Sequence, residues 1–160
     1  MMSMKKRKSA KAIDRTSVKK LKRKAIRDPA RAQKSIDSTR KVSLREQLAQ
    51  IDEHWRPKVV GKLNGQEVKL VKFQGEFVWH HHANEDELFL ALRGSFRIEF
   101  RDRTVSLNPG EFLIVPRGVE HRPVADEEVE VPLFEPAATR NTGNVDHPTF
   151  TGPTRAKRQP

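Results

Sequence analysis

The sequence contains no cysteine and no tyrosine among its 160 residues. Without cysteine a protein can build neither a disulfide framework nor a thiolate metal site, so we expect a cytoplasmic location. The chain also lacks any apolar run of about 18 residues, which excludes a predicted membrane-spanning helix. The residues after the basic start do not form the apolar stretch of a secretory signal peptide, and export by that route is not expected.

Aromatic residues and glycine are absent from the first quarter of the chain. Trp55 is the first aromatic residue and Gly61 is the first glycine. Residues 1–42 hold 16 basic and three acidic residues, whereas the rest of the chain holds 16 basic and 18 acidic residues. The net charge of +11 therefore originates in the first segment. Because this segment cannot build a core, we predict that it is a disordered basic tail.

The basic tail has three interpretations. It could bind nucleic acid or another anionic partner through counterion release, without sequence specificity. However, no aromatic residue lies between its charges to stack on bases. A solvated extension and a translation start near Val42 are the alternatives, and we favour these two because charge runs alone are weak signals.

A short helix is predicted after the tail, within a lead-in of residues 43–57. Ser43 and Glu46 have the spacing of a capping box, and apolar residues then recur at helical intervals. These signals predict a helix from about Leu44 to Glu53, packed on the domain that follows.

From residue 58 the pattern changes to short β segments separated by turn residues. Asn64-Gly65 between two such segments is a strong hairpin signal. Segments recur about every ten residues, which is typical of an all-β sandwich or barrel over residues 58–136, followed by an extension over residues 137–160. The predicted strands are Val59–Leu63, Glu67–Phe73, Phe77–His82, Glu87–Leu92, Phe96–Phe100, Thr104–Leu107, Phe112–Val115, His121–Val124 and Val129–Phe134.

Three consecutive histidines, His80, His81 and His82, carry the clearest chemical signal. On a strand His80 and His82 share one face, whereas His81 points to the other. Two imidazoles on one face, with Glu87 a few residues later and His121 on a separate strand, could converge on a divalent cation. The alternatives are a surface histidine cluster and a hydrogen-bonded core position for His121.

Several other side chains receive structural assignments. Trp79 and His81, on the opposite face from His80, are predicted to pack between sheets or against another subunit. His54 and His147 are predicted to be solvated. Four apolar residues are predicted to pack the core: Phe96, Ile98, Phe112 and Ile114.

Two longer patterns contain the candidate ligands. The first reads His80-x-His82, four residues, Glu87, six residues, Gly94; the second reads Gly110, five residues, Pro116-x-Gly118, two residues, His121. Together they resemble the two signature motifs of the cupin superfamily. Two departures exist: only four residues separate Gly75 from His80 where the family has five, and Ala125 stands at the family's final Asn, which is not a ligand.

The resemblance implies an all-β double-stranded β-helix, a cupin jelly-roll barrel, with a metal in one mouth. It implies four metal ligands: His80, His82, Glu87 and His121. Mixed imidazole and carboxylate donors suit one divalent transition metal, Fe, Mn, Ni, Co or Zn, and leave positions open for a small-molecule substrate.

Several cupin functions fit these ligands. The activities implied are dioxygenase-like chemistry or sugar isomerisation of the mannose-6-phosphate-isomerase type, and a homodimer is expected. A non-catalytic metal-binding or sensing module is the alternative. No catalytic residue outside the ligand set is predicted.

Overall fold

The computed structural model describes residues 39–152. Residues 1–38 of the predicted tail therefore lie outside the described residues. The last eight residues of the C-terminal extension, 153–160, also lie outside them. The described residues form one short helix and seven strands: α1 (Leu44–Leu48), β1 (Lys58–Leu63), β2 (Gln66–Glu76), β3 (Glu87–Leu90), β4 (Phe96–Phe100), β5 (Thr104–Leu107), β6 (Phe112–Val115) and β7 (His121–Pro136).

The strands form one sheet around the long strand β7. Its hydrogen-bonded order is β1-β2-β7-β3-β6, and β4 pairs with both β5 and β7. Each of these strand pairs is antiparallel. Because β7 bonds to β2, β3 and β4 along its length, it joins both halves of the barrel. The predicted all-β jelly-roll fold with a short N-terminal helix is confirmed.

Helix α1 begins as predicted and ends earlier. The Ser43 side chain accepts a hydrogen bond from the backbone N–H of Glu46 at 3.4 Å. The helix ends at Leu48 instead of near Glu53, because the Ile51 N–H bonds to the Leu48 carbonyl and tightens the last turn. Leu48 and Ile51 pack with Val60 and Leu70, so α1 covers the outer face of β1 and β2. Among residues 39–152, no helix is long and apolar enough to span a membrane.

The predicted strand Phe77–His82 is wrong as a regular strand. This segment bonds to β7 at an isolated bridge between His80 and His121. Closer to Phe77, the Phe77 N–H donates to the Pro123 carbonyl at 3.0 Å. Proline has no N–H to return such a bond, so the ladder is interrupted there.

The two strands predicted at His121–Val124 and Val129–Phe134 form one continuous strand, β7. The exposed acidic residues 126–128 lie between them without breaking the strand. The register shifts opposite this stretch, between Phe73 and Gly75 of β2. Here three residues of β7 (126–128) lie opposite the single residue Gln74 of β2, so β7 itself bulges at the point where the sequence pattern divided it into two strands.

The barrel interior is apolar over most of its length. Phe96 and Ile98 are buried in it, as predicted. The core prediction for Phe112 and Ile114 is wrong, because these side chains are 61% and 51% exposed. All four residues of β6 are apolar, so alternation could not decide its inner face, which carries Val115.

Candidate metal centre

The structure brings together the four residues that the sequence motifs select. His80 and His82 lie on the segment between β2 and β3, Glu87 begins β3 and His121 begins β7. Backbone hydrogen bonds of 2.9 and 3.0 Å join His80 and His121. All four side chains are buried, with at most 4% of any residue exposed. One potential ligand atom from each residue lies within 4.8 Å of the others.

Two of the imidazoles are oriented by the backbone next to them. His80 Nδ1 lies 3.0 Å from the Val78 carbonyl, and His121 Nδ1 lies 3.0 Å from the Val119 carbonyl. A carbonyl oxygen only accepts, so Nδ1 carries the proton in both rings. A neutral ring in this tautomer presents the Nε2 lone pair to the cluster, as in histidines that bind metals.

Three atoms at the centre of the cluster lack hydrogen-bond partners among the described residues: His82 Nε2, Glu87 Oε2 and His121 Nε2. The two imidazole nitrogens approach the carboxylate oxygen at 3.3 and 3.6 Å. Neither contact has the length and alignment of a hydrogen bond. An unsatisfied buried polar atom costs about 1–3 kcal/mol, so the arrangement is expensive unless a cation lies between the three atoms.

The protonation states follow from burial and from the charges nearby. Burial lowers the pKa of His80 to about 3, so its ring is neutral. Burial would raise the pKa of Glu87, but the contacts with His121 and His82 lower it to about 2. For His82, burial is outweighed by Glu87, which raises the pKa of the imidazole above its ordinary value. The cluster thus contains an ionised Glu87 carboxylate, a neutral His80 ring and a His82 ring whose protonated form Glu87 stabilises.

A second buried polar cluster lies inside the barrel on β2 and β7. The Lys69 ammonium donates to Glu135 Oε1 at 2.7 Å and lies 3.5 Å from Glu67. All three residues are at most 6% exposed. Burial and the charge of Glu87 raise the pKa of Glu135 to about 7, so the two clusters are coupled electrostatically.

A cavity of about 30 Å³ extends from the histidine cluster into the barrel. Among the described residues, its lining includes His80 and Glu87 and otherwise consists of apolar side chains and Asn141. Its aromatic walls include Phe73 and Phe89. A cavity of this size holds one or two waters, so a larger ligand requires the protein to move.

Aromatic rings from both ends of the described chain pack together beside this cavity. Trp55 stacks on Phe73 and Phe77 at centroid distances of 4.5 and 4.8 Å, and Phe150 lies 4.9 Å from Phe77. Arg56 holds the C-terminal segment by donating to the backbone carbonyls of residues 149–151. Trp55, which lines the cavity, is thus packed against the C-terminal segment through Phe150.

The other histidines and Trp79 lie outside the metal cluster. The backbone N–H of His81 is bonded to Asn144, and its side chain is not part of the cluster. Trp79 is half-buried beneath the Arg101 guanidinium, 3.9 Å from its ring centroid. His54, predicted to be solvated, contacts Glu128 at 2.9 Å. His147 stacks on Phe150 at 4.6 Å, so the prediction that it is solvated misses a packing role.

Sequence reasoning missed the buried pair of Lys69 and Glu135. Charged residues within strands normally lie on the solvent face, and no sequence pattern near Lys69 or Glu135 indicates that they are buried. Only the register, which places Glu67 opposite Glu135, brings the charges together inside the barrel.

Comparison with known proteins gives three related matches. The sequence model of the cupin domain family matches residues 67–135. A cupin-2 domain containing protein from Shewanella frigidimarina is 41% identical, with a TM-score of 0.59 over 59% of this chain and 93% of that one. Protein NMB1881 from Neisseria meningitidis is 30% identical, with a TM-score of 0.57 over 61% of this chain and 100% of that one.

A curated relative matches a shorter stretch. The uncharacterized protein YdbB of Bacillus subtilis is 41% identical over 64 residues, which are 39% of this chain. The match spans 57% of the length of that protein.

Proposed function

Since this chain belongs to the cupin family, we propose that it binds one divalent transition metal through His80, His82, Glu87 and His121 and acts with it on a small molecule. The observation that carries this proposal is the set of three buried atoms without hydrogen-bond partners among the described residues. Glu87 Oε2 has a lone pair that a cation would satisfy, and each imidazole Nε2 can offer one when its ring is neutral. No rearrangement of the four residues is needed to bring their ligand atoms together.

The donor types favour some metals over others. Three imidazole nitrogens and one carboxylate oxygen suit Fe, Mn, Ni, Co or Zn. Calcium and magnesium prefer oxygen ligands and are disfavoured.

Charge inside the barrel supports a dication. The buried residues of the described chain include three carboxylates, Glu67, Glu87 and Glu135, and one lysine, Lys69. Glu135 is partly protonated near neutral pH because its pKa is raised to about 7, but Glu87 stays ionised within the histidine cluster, and a buried carboxylate there favours a cation over an anion. Binding of a metal by His82 would also release the proton that Glu87 stabilises on this ring.

The residues that line the cavity favour one type of cupin reaction over another. A bound metal would supply Lewis acidity or activate dioxygen. Isomerisation of a sugar phosphate needs a lysine or arginine to hold the phosphate, and the residues described around the cavity include neither. The one buried lysine is already paired with Glu135. Apolar walls instead exclude water and favour a small, weakly polar substrate, so we propose oxygenase-like chemistry over sugar-phosphate isomerisation.

The alternative is a non-catalytic module that holds a metal or a small ligand without turnover. Burial of all four ligands and the small cavity favour this reading, because a substrate has little room beside the metal. Product formation by the metal-loaded protein would distinguish the two functions. Homodimerisation and a cytoplasmic location stay predictions.

Elemental analysis of the untagged full chain tests metal binding. We expect about one equivalent of a transition metal in the parent protein and its loss in a His82→Ala, Glu87→Ala double variant with an unchanged circular dichroism spectrum. His81→Ala is the matched control, because it removes the neighbouring imidazole from outside the cluster. A parent protein that takes up no metal after reconstitution, or equal loss in the control, would contradict the proposal.

A further inference from the structure

A turn between β6 and β7 joins two candidate ligands that lie far apart in the sequence. It spans residues 116–119 and is called here the connecting turn. The strand ladder ends before it at Val115, which pairs with Glu87, and resumes after it at His121, which pairs with Phe100. Contacts other than strand pairing must therefore hold the chain in place between these two points.

Two main-chain contacts join the connecting turn to candidate ligands. The Gly118 N–H donates to the His82 carbonyl at 2.7 Å. At the end of the turn, the Val119 carbonyl lies 3.0 Å from Nδ1 of the His121 ring. The position of the turn thus affects both the segment that carries His82 and the orientation of the His121 imidazole.

Asp86, the residue before Glu87, makes a third contact with the turn. Its Oδ1 accepts the Arg117 backbone N–H at 2.9 Å, and its carboxylate also accepts two bonds of 3.2 Å from the Arg117 guanidinium. The two side chains are 62% and 48% exposed for Arg117 and Asp86, and exposed ion pairs contribute little. A hydrogen bond from a backbone N–H to a carboxylate is about twice as strong as a neutral one. The bond to the Arg117 N–H is therefore the contact that restrains the turn.

We propose that Asp86 is a positioning residue of the metal centre. By accepting the Arg117 N–H, it holds the connecting turn, and His121 with it, against the segment that carries His82 and Glu87. Ligands that are already held at their bound spacing lose less conformational freedom when the metal binds, so the affinity is higher. This inference rests on the metal site proposed above.

A second exposed ion pair beside a candidate ligand provides a matched comparison. Glu120 precedes His121 as Asp86 precedes Glu87, and it accepts bonds of 2.7 and 2.9 Å from the Arg101 side chain. Glu120 is 42% exposed and Arg101 58%. These bonds lead to the residue after β4 instead of to the connecting turn. Glu120 thus resembles Asp86 in charge, exposure and distance along the chain from a ligand, but differs in the contact that carries the proposal.

Titration of the metal-free full chain with Co²⁺ tests the role of Asp86. We expect Asp86→Ala to weaken Co²⁺ binding about tenfold, as the loss of a group that orients metal ligands does, and to change the visible absorption spectrum of the bound ion. Asp86→Asn should restore most of the affinity, because its amide oxygen can still accept the Arg117 N–H. Glu120→Ala should bind like the parent. Circular dichroism checks the fold of each variant.

Hydrogen exchange of the metal-free protein measures the restraint without the metal. In Asp86→Ala, the Gly118 amide, which bonds to His82, should exchange at least about tenfold faster than in the parent, because the turn opens more often. Asp86→Asn and Glu120→Ala should leave this rate unchanged.

The outcomes separate this inference from the metal site itself. Parent-like Co²⁺ binding and Gly118 exchange in Asp86→Ala would overturn the role of Asp86 and leave the metal site standing. Equal weakening by Asp86→Ala, Asp86→Asn and Glu120→Ala would show that charge, not the hydrogen bond, affects affinity, and would also overturn it. A parent protein that binds no Co²⁺ would contradict the metal site and the positioning role together.

Discussion

His80 and His121 each use one ring nitrogen to bond a backbone carbonyl two residues earlier in the chain. These bonds fix the orientation of the rings before any ligand is bound. Burial of His80 also lowers its pKa to about 3, so protonation of this ring destabilises the folded protein.

The contribution of His80 to the stability of the metal-free protein should therefore fall in acid, whereas Glu135, whose pKa is raised to about 7, adds stability as pH decreases from about 7 to 4.5. Between about pH 6.5 and 3 the unfolded chain binds a proton at His80 that the folded chain does not bind. This ring alone contributes a loss of up to about 1.4 kcal/mol per pH unit as pH decreases through that window, and nothing above it. Urea denaturation in the presence of a chelator, at several pH values from 4 to 7, measures the slope.

As pH decreases through this window, a His80→Gln variant should lose less stability than the parent, whereas His81→Gln should keep the parent's profile. Parallel profiles for the parent and His80→Gln would show that this imidazole is not responsible for the acid sensitivity.

At the level of single residues, motif spacing selected the four side chains that the structure brings together. It could do so because the two motifs fix both the ligand types and their separation along the chain. Spacing carried no information about Glu135, whose burial depends on a partner 66 residues away. The exposure of Phe112 was equally unpredictable, since both faces of β6 are apolar.

Among the elements, the C-terminal segment depends on a close contact at Gly143. Gly143 has a φ of +49°, and a Cβ at this position would clash with the His81 carbonyl and approach the His80 ring. The Asn144 N–H donates to the same carbonyl at 3.1 Å. The segment thus packs directly on the strand-like stretch that carries two candidate ligands.

A Gly143→Ala substitution should displace this segment. We expect a stability loss of about 1–3 kcal/mol and faster removal of bound metal by a chelator, because strain is combined with a steric clash. Gly110→Ala is the matched control: its φ is +92°, but a Cβ there meets nothing within 4 Å. Thermal unfolding and the rate of metal release measure the two effects. Equal losses in both variants would mean that backbone strain, not the contact with His81, decides the result.

The predictions of secondary structure agree with the structure where the residues of a turn determine the backbone conformation. Asn64 and Gly65 both adopt positive φ, at +49° and +79°, as a two-residue hairpin turn requires. The failure at Phe77–His82 has a non-local cause, since Pro123 on β7 cannot complete the ladder. Local sequence patterns do not contain such information about a partner strand.

On the scale of the whole molecule, the barrel separates its polar groups from its apolar ones. One end of the interior holds the histidine cluster and the buried ions of Lys69 and Glu135, and the remainder is packed with aromatic and aliphatic side chains. The exterior is divided in a similar way, between ion pairs across β4 and β7, the part covered by α1, and exposed apolar side chains on β6. The fold could be predicted because strand spacing and the two motifs cover most of the barrel sequence. The separation of polar from apolar groups could not, because it depends on which strands are neighbours in the sheet.

X-ray absorption spectroscopy of the full chain reconstituted with one transition metal tests the central claim most directly. We predict a first shell of nitrogen and oxygen at about 2.0–2.2 Å that includes three imidazoles. In a His121→Ala variant the imidazole contribution should decrease by one ring, while His81→Ala should leave the spectrum unchanged. A shell without imidazoles, or one altered equally by both substitutions, would contradict the metal site.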